Sequence, residues 1–217
     1  MKKFISLSLA IILLIFTIPI FAEHESSADS LNKLGLFNGT DNGYDLDSTF
    51  TRAQGATMLV RLLGRENEID QWNAGTVFSD VEADNWANPY ISYCYANGIV
   101  NGTSETTFTP EREMTCEEYL TIILRAIGYS NVNPDNACIA AAEYGLLTSK
   151  TLNDIAEKET FIRDDMVYIS YNALTIKGAD GKTIAENLLS KVIITEGQYK
   201  EDVSSAVQTI DDILSEF

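Results

Sequence analysis

Few side chains in this sequence are of a kind that performs chemistry, and their spacing narrows the choice further. The single histidine, His24, sits at the very start of the polar part of the chain. That removes histidine-based triads and histidine metal sites from the reading. The three cysteines, Cys94, Cys116 and Cys138, form no CxxC pair, so neither a metal-thiolate nor a dithiol redox site is expected. Cys94 and Cys138 fall on helical faces and read as small buried hydrophobes. Cys116 lies in the first turn of an expected helix, where a thiolate would be favoured. Asp41, Asn42, Asp45 and Asp47 suggest a calcium loop, but the glycine and closing glutamate of that pattern are misplaced. Asn38-Gly39-Thr40 and Asn101-Gly102-Thr103 match a glycosylation acceptor, yet Asn-Gly is itself a turn signal and both occupy one repeat position. Two carboxylates could act as acid and base, but here they are scattered over caps and loops. The expectation is a protein that is not an enzyme and uses no cofactor or metal.

Charge narrows the partners. The 217 residues carry 15 basic and 32 acidic side chains, a net −17. Such a balance argues against nucleic acid, whose phosphates demand a basic surface, and against adsorption on anionic lipid. Residues 1–22 begin with Lys2 and Lys3, run apolar from Phe4 to Phe21, and end at Ala22 before a polar switch. This reads as a secretory signal peptide cleaved after Ala22, leaving no membrane segment in the mature chain. An uncleaved anchor is the alternative, since the apolar run approaches the length of a span.

The elements that must position any site are clearest from Phe78 to Gly128. Asn88 to Asn97 carries Ile91, Cys94 and Tyr95 at the i, i+3, i+4 spacing of one helical face, and Gly98 supplies a left-handed C-cap. A polar loop turns at Asn101-Gly102 and closes at Pro110. A second helix starts at Thr115, with Glu118 completing a capping box, buries Tyr119, Ile122, Ile123 and Ile127, and ends at Gly128. The unit is helix, ordered loop, helix.

Phe78, Asp80, Val81, Trp86, Ala87, Ile91, Gly98, Ile99, Gly102, Phe108, Thr109 and Pro110 give this unit a pattern that resembles the S-layer homology (SLH) module of bacterial surface proteins. Family members carry a Thr-Arg-Ala-Glu run at the second helix; here it is Thr115-Cys116-Glu117-Glu118, without the arginine. A looser copy precedes it, in which Gly35, Asn38-Gly39, Thr51 and Gly64 match Gly98, Asn101-Gly102, Thr115 and Gly128, and Thr51-Arg52-Ala53-Gln54 keeps the run. A third copy places Gly145, Ile162 and Thr175 at the matching positions, with Arg163 where Arg52 falls, Ile in place of the cap threonine and Asn133 in place of Trp86. Its first helix is expected to bury Cys138, Ala141, Ala142 and Leu146. The expected organisation is a signal peptide over 1–22, a front-truncated repeat over 23–66, a connector over 67–77 holding Trp72 as a packing plug, a repeat over 78–130, a divergent repeat over 131–196, and an acidic helical tail over 197–217. A further helix is expected over Thr183–Ile194. The resemblance covers roughly Ser27 to Thr195.

The resemblance implies an all-α fold in which three repeats pack as a pseudo-threefold spindle around a central bundle of the first helices. It also implies non-covalent anchoring at the cell wall through an anionic secondary polysaccharide on peptidoglycan, bound in grooves between neighbouring repeats. The chemistry is coherent: an arginine at a helix start offers forked donors to an acidic sugar beside a helix terminus that favours anions, and tryptophan offers a face to a sugar ring. The residues implied for glycan binding are Arg52, Asp80, Trp86, Gly98, Gly102 and Arg163, with one competent groove joining Arg52 to Trp86. The alternative is a surface scaffold that has lost glycan binding, with self-association or a surface-protein partner.

Overall fold

The computed structural model describes residues 24–69, 71–72 and 74–203. Residues 1–22, where a signal peptide is expected, and the greater part of the expected C-terminal tail lie outside the described residues. Among those described, the fold is all-α, with isolated bridges in place of any sheet. The helices are α1 (Glu25–Lys33), α2 (Arg52–Leu62), α3 (Glu66–Ile69), α4 (Asn88–Ala96), α5 (Cys116–Ala126), α6 (Ala137–Glu143), α7 (Ser149–Ala156), α8 (Arg163–Ala173), α9 (Ile184–Ser190) and α10 (Glu196–Gln198), the last running into a π-turn over Tyr199–Val203. None of the described helices is long and apolar enough to cross a membrane.

The local signals act where expected. Thr51 and Thr115 each accept from the backbone three residues on, while Gln54 and Glu118 reach back to complete the boxes. Ile162 cannot cap α8 with its side chain; only Asp165 returns to its backbone N–H, at 3.5 Å. A neighbouring loop supplies the missing acceptors, as Arg163 donates to Ser48 O at 2.9 Å and Asp164 to Leu46 O at 3.0 Å. The same contacts recur at α2, where Arg52 donates to Arg112 O at 2.9 Å and Ala53 to Pro110 O at 3.0 Å. Gly98 ends α4 at φ +69°, a backbone conformation that a Cβ would strain.

The helices pack in a closed circuit: α2 lies on α4, α5 on α6, and α8 on α1. Inside it, α5 packs on both α2 and α8. This corrects the expectation of a core made from first helices, because it is the second helices that meet. The reason lies in their surfaces. All of α2 except Gln54 and Arg61 is buried, as is nearly all of α8, and a helix buried all round belongs in the interior. The first helices each keep a wet face, and α4 leaves Tyr95 exposed. On the central axis Tyr119, fully buried, meets Phe50 edge-on at 5.6 Å and Phe161 at 6.0 Å. Its hydroxyl, which would otherwise be an unpaired buried polar group, bonds Ser170 Oγ at 2.6 Å.

Three details depart from the sequence reading. In α6 the buried residues are Ala137, Ala140 and Ala141, so Cys138 is only partly covered. Cys116 is buried at the start of α5, where burial, first, and the nearby thiol and carboxylates push its thiol up rather than toward thiolate. Helix α7 is an element that the sequence reading did not assign, capped by Thr148 and burying Leu152 and Ile155. Trp72 does act as a plug, with its indole N–H on Ser92 Oγ at 3.0 Å and its ring edge-on to Tyr93.

Candidate ligand-binding grooves

Arg52 is the first residue of α2, and its side chain turns inward, away from solvent. Its Nε donates to Phe108 O at 2.9 Å, Nη2 to Asn101 O at 2.8 Å and Nη1 to Glu118 Oε1 at 3.0 Å. The guanidinium lies 4.4 Å over the Phe108 ring. With each nitrogen engaged and burial holding its pKa below the usual arginine value, Arg52 clamps the α4–α5 loop against the start of α2. Arg163 does the same for the loop before α2, donating Nε to Tyr44 O at 3.0 Å beside the Phe37 ring. Its terminal nitrogens make no hydrogen bond within the described structure, so this guanidinium keeps donors to offer.

Two grooves follow from this arrangement, and they are copies of one another. The first, of about 190 Å3, is lined by Arg163, Phe37, Gly39, Thr40, Phe50, Gln54, Thr57, Met58, Arg61 and Trp86. The second, of about 220 Å3, is lined by Arg52, Val100, Asn101, Gly102, Phe108, Met114, Glu118, Thr121, Ile122, Arg125 and Pro134. Along the helices the correspondence runs Gln54 to Glu118, Thr57 to Thr121, Met58 to Ile122 and Arg61 to Arg125, a constant spacing of 64 residues. Each groove therefore draws on the second-helix start of one unit, the loop and second helix of the next, and the front of the one after.

This geometry redistributes the residues expected to bind. Trp86, 54% exposed, shares its groove with Arg163, not with Arg52. Arg52 and Gly102 line the second groove, where Pro134, and not the expected Asn133, stands in the place of Trp86. Asp80 lines neither; its carboxylate accepts from Phe108 N at 2.8 Å and Thr109 N at 2.7 Å, pinning the loop. Gly98 lies at the end of α4 and also outside both. Gly102 is required sterically, because a Cβ there would lie 2.2 Å from Ser104 O and 2.5 Å from Thr107 O. The residues that sequence reasoning missed are Gln54, Thr57 and Thr40. The 64-residue offset between Thr51 and Thr115 could have found the first two.

Charge separates the two grooves. In the second, Glu118 is the shared acceptor for Arg52, Arg112 and the Thr115 backbone. Burial pushes its carboxyl up, but the Arg112 hydrogen bond, the Thr115 N–H and Arg52 together hold it below the ordinary carboxylate range. An acidic ligand would meet that carboxylate. In the first groove the same position is the neutral Gln54. At the third junction the arginine positions are Cys116 and Asn172, and Tyr168 replaces the threonine, stacked on His24 at 3.9 Å. His24 also meets Asp164 and Asp165, with one ligand atom of each lying within 4.8 Å of the others. These groups already have partners, since Asp164 accepts His24 N at 3.0 Å and Asp165 accepts Lys158 Nζ at 2.5 Å.

Known proteins share this pattern. The S-layer homology domain profile matches residues 77–120. A middle cell wall protein of Brevibacillus brevis is 31% identical over 160 residues, 71% of this chain and 15% of that protein. A surface layer protein of Brevibacillus choshinensis is 34% identical over 109 residues, 50% of this chain and 10% of its own length. A cell surface protein of Thermoanaerobacter kivui is 30% identical over 185 residues, 82% of this chain and 24% of that protein. The chain thus spans a quarter or less of the length of these relatives. The helix-loop-helix unit that holds Asp80, Trp86 and Gly102 is thus an S-layer homology domain, matched over residues 77–120.

Proposed function

We propose that this chain is a non-catalytic anchoring module of the bacterial cell surface, and that its first groove takes an acidic sugar of the wall polysaccharide. The observation that carries the reading is the pairing of Trp86 and Arg163 in one groove that has no carboxylate in its lining. The indole gives a flat apolar face for a sugar ring. Arg163 gives charge, Arg61 beside it being paired with Glu66 at 2.9 Å, and Gln54, Thr57 and Thr40 give neutral hydrogen-bonding partners of the kind that fix orientation in a small-molecule site. The net negative charge of the chain is no obstacle, because a bound sugar senses the nearby cations more than distant screened carboxylates. Relatives named as cell wall, surface layer and cell surface proteins support a location on the wall.

Co-sedimentation of the mature chain with purified walls tests this, before and after the anionic polysaccharide is stripped. Binding should be lost on stripping; binding that persists would sink the proposal. The second reading, a surface scaffold without glycan binding, is favoured by how many of the expected site residues are used internally, Arg52, Asp80 and Gly102 among them. It requires that unstripped walls fail to retain the chain.

A further inference from the structure

A further cavity, of about 660 Å3, is neither groove. It opens where α2 and α5 end, and its far wall is the turn over residues 178–182 together with α9, which lie beyond the last of the central helices. Four of the chain's 15 basic side chains line it: Arg65, Arg125, Lys182 and Lys191. In a chain with 32 acidic residues, the lining holds a single carboxylate, Asp180, whose Oδ1 caps the turn by accepting from Lys182 N at 3.0 Å. Arg65 pairs with Glu68 at the rim. Arg125, Lys182 and Lys191 make no ion pair with a described carboxylate; Arg125 donates instead to Val132 O at 2.8 Å.

Cations near helix C-termini are favoured by the helix dipole, and that could account for Arg65 and Arg125. It does not account for Lys182 and Lys191, which come from another segment and are brought to face the same space. Clustering them has an electrostatic cost within the protein itself. Partial desolvation at the cavity wall, and next the neighbouring Arg65, hold the Lys191 ammonium below its usual pKa. Four cations against Asp180 and Glu68 leave a local excess of positive charge. A partly open polar cavity of this size falls in the range of small-ligand sites.

We propose that this cavity is a second binding site, for an oligoanion bearing phosphate or carboxylate groups on successive units. With Nε on Val132 O and Nη1 on the Asn101 side-chain oxygen, Arg125 offers Nη2 to one oxyanion, and Lys182 and Lys191 supply point charges for the next. Tyr93 lines the same wall as a neutral hydrogen-bonding group. The site goes beyond the groove reading and does not depend on it, because no residue of the first groove contributes.

The test is calorimetric titration of the mature chain with tripolyphosphate and with trigalacturonate at low salt. Lys182 and Lys191 are both exposed, so the double variant Lys182→Gln/Lys191→Gln should fold normally, whereas Arg125 is half-buried and is left in place. At least one probe should bind, with affinity falling tenfold or more in the double variant. The Trp86→Ala and Lys33→Gln/Lys150→Gln variants should bind as wild type. Preference between the probes identifies the oxyanion as phosphate or carboxylate. No binding of either probe to the wild type, unchanged binding by the double variant, or an equal loss in the Lys33/Lys150 control would each overturn the site.

Discussion

Arg52 and Arg163 hold the same place at the starts of α2 and α8, yet they differ in what remains available. Three nitrogens of Arg52 bond to the protein, and the side chain sits over Phe108. Removing it would strand two loop carbonyls and take away one of the three partners of Glu118. Arg52→Ala should therefore lower stability by about 2–4 kcal/mol in urea unfolding, whereas Arg163→Ala, with its single hydrogen bond, should lose about 1–2 kcal/mol. Equal losses would contradict the division between a clamp and a partly available arginine. The thiols give a second test at this scale. Cys94 is fully buried and burial pushes its pKa up to about 12; Cys116 is buried as well. A thiol reagent under native conditions should modify Cys138 first, by mass spectrometry, and the other two only on unfolding.

At the scale of elements, α2 and α8 are each finished by a loop from the next unit, so these helix starts are tertiary structure. The bridge between Thr51 and Glu113 and that between Thr49 and Ile162 are two copies of one stitch. Gly102 lies in such a loop under two carbonyls, and Gly102→Ala should destabilise by about 1–3 kcal/mol through forced displacement. Glu118 ties the α5 cap to this stitch. Its carboxyl is held below the ordinary range in the folded state, so its contribution is present above the unfolded carboxylate pKa and is lost as pH falls through the folded value. Wild-type stability should fall more steeply from pH 6 to pH 3 than that of Glu118→Gln; parallel profiles would contradict it. Much of this scale was legible in the sequence. Capping boxes at Thr51 and Thr115 and the glycine stops depend on residues within four positions, and both appear where expected. Helix α7 was not legible as a helix, because its apolar positions are only Leu152 and Ile155 among polar neighbours.

At the scale of the whole molecule, closure of the circuit decides the grooves. Trp86 and Arg163 are 77 residues apart in the sequence and meet because α8 returns to α1. From the chain alone, Trp86 pairs more naturally with Arg52, the preceding arginine; nothing local reveals that the front of one unit reaches across its predecessor to the one before. The placement of the second helices in the centre was nearer to hand. The run Ala53, Gly55, Ala56, Leu59, Val60 and Leu62 in α2 covers the helix with small and apolar side chains all round. Charge was informative only as a sum, since it hides four cations gathered at one cavity.

The central claim is that the wall sugar lies between Trp86 and Arg163. The most direct measurement is the affinity of purified wall polysaccharide for Trp86→Ala beside Pro134→Ala, which alters the corresponding place in the second groove. Trp86 is exposed and its loss should leave thermal unfolding unchanged, while affinity falls about thirtyfold, the ~2 kcal/mol typical of a buried aromatic anchor. Pro134→Ala should bind as wild type. A Trp86→Ala chain that folds normally and binds with undiminished affinity would contradict the account.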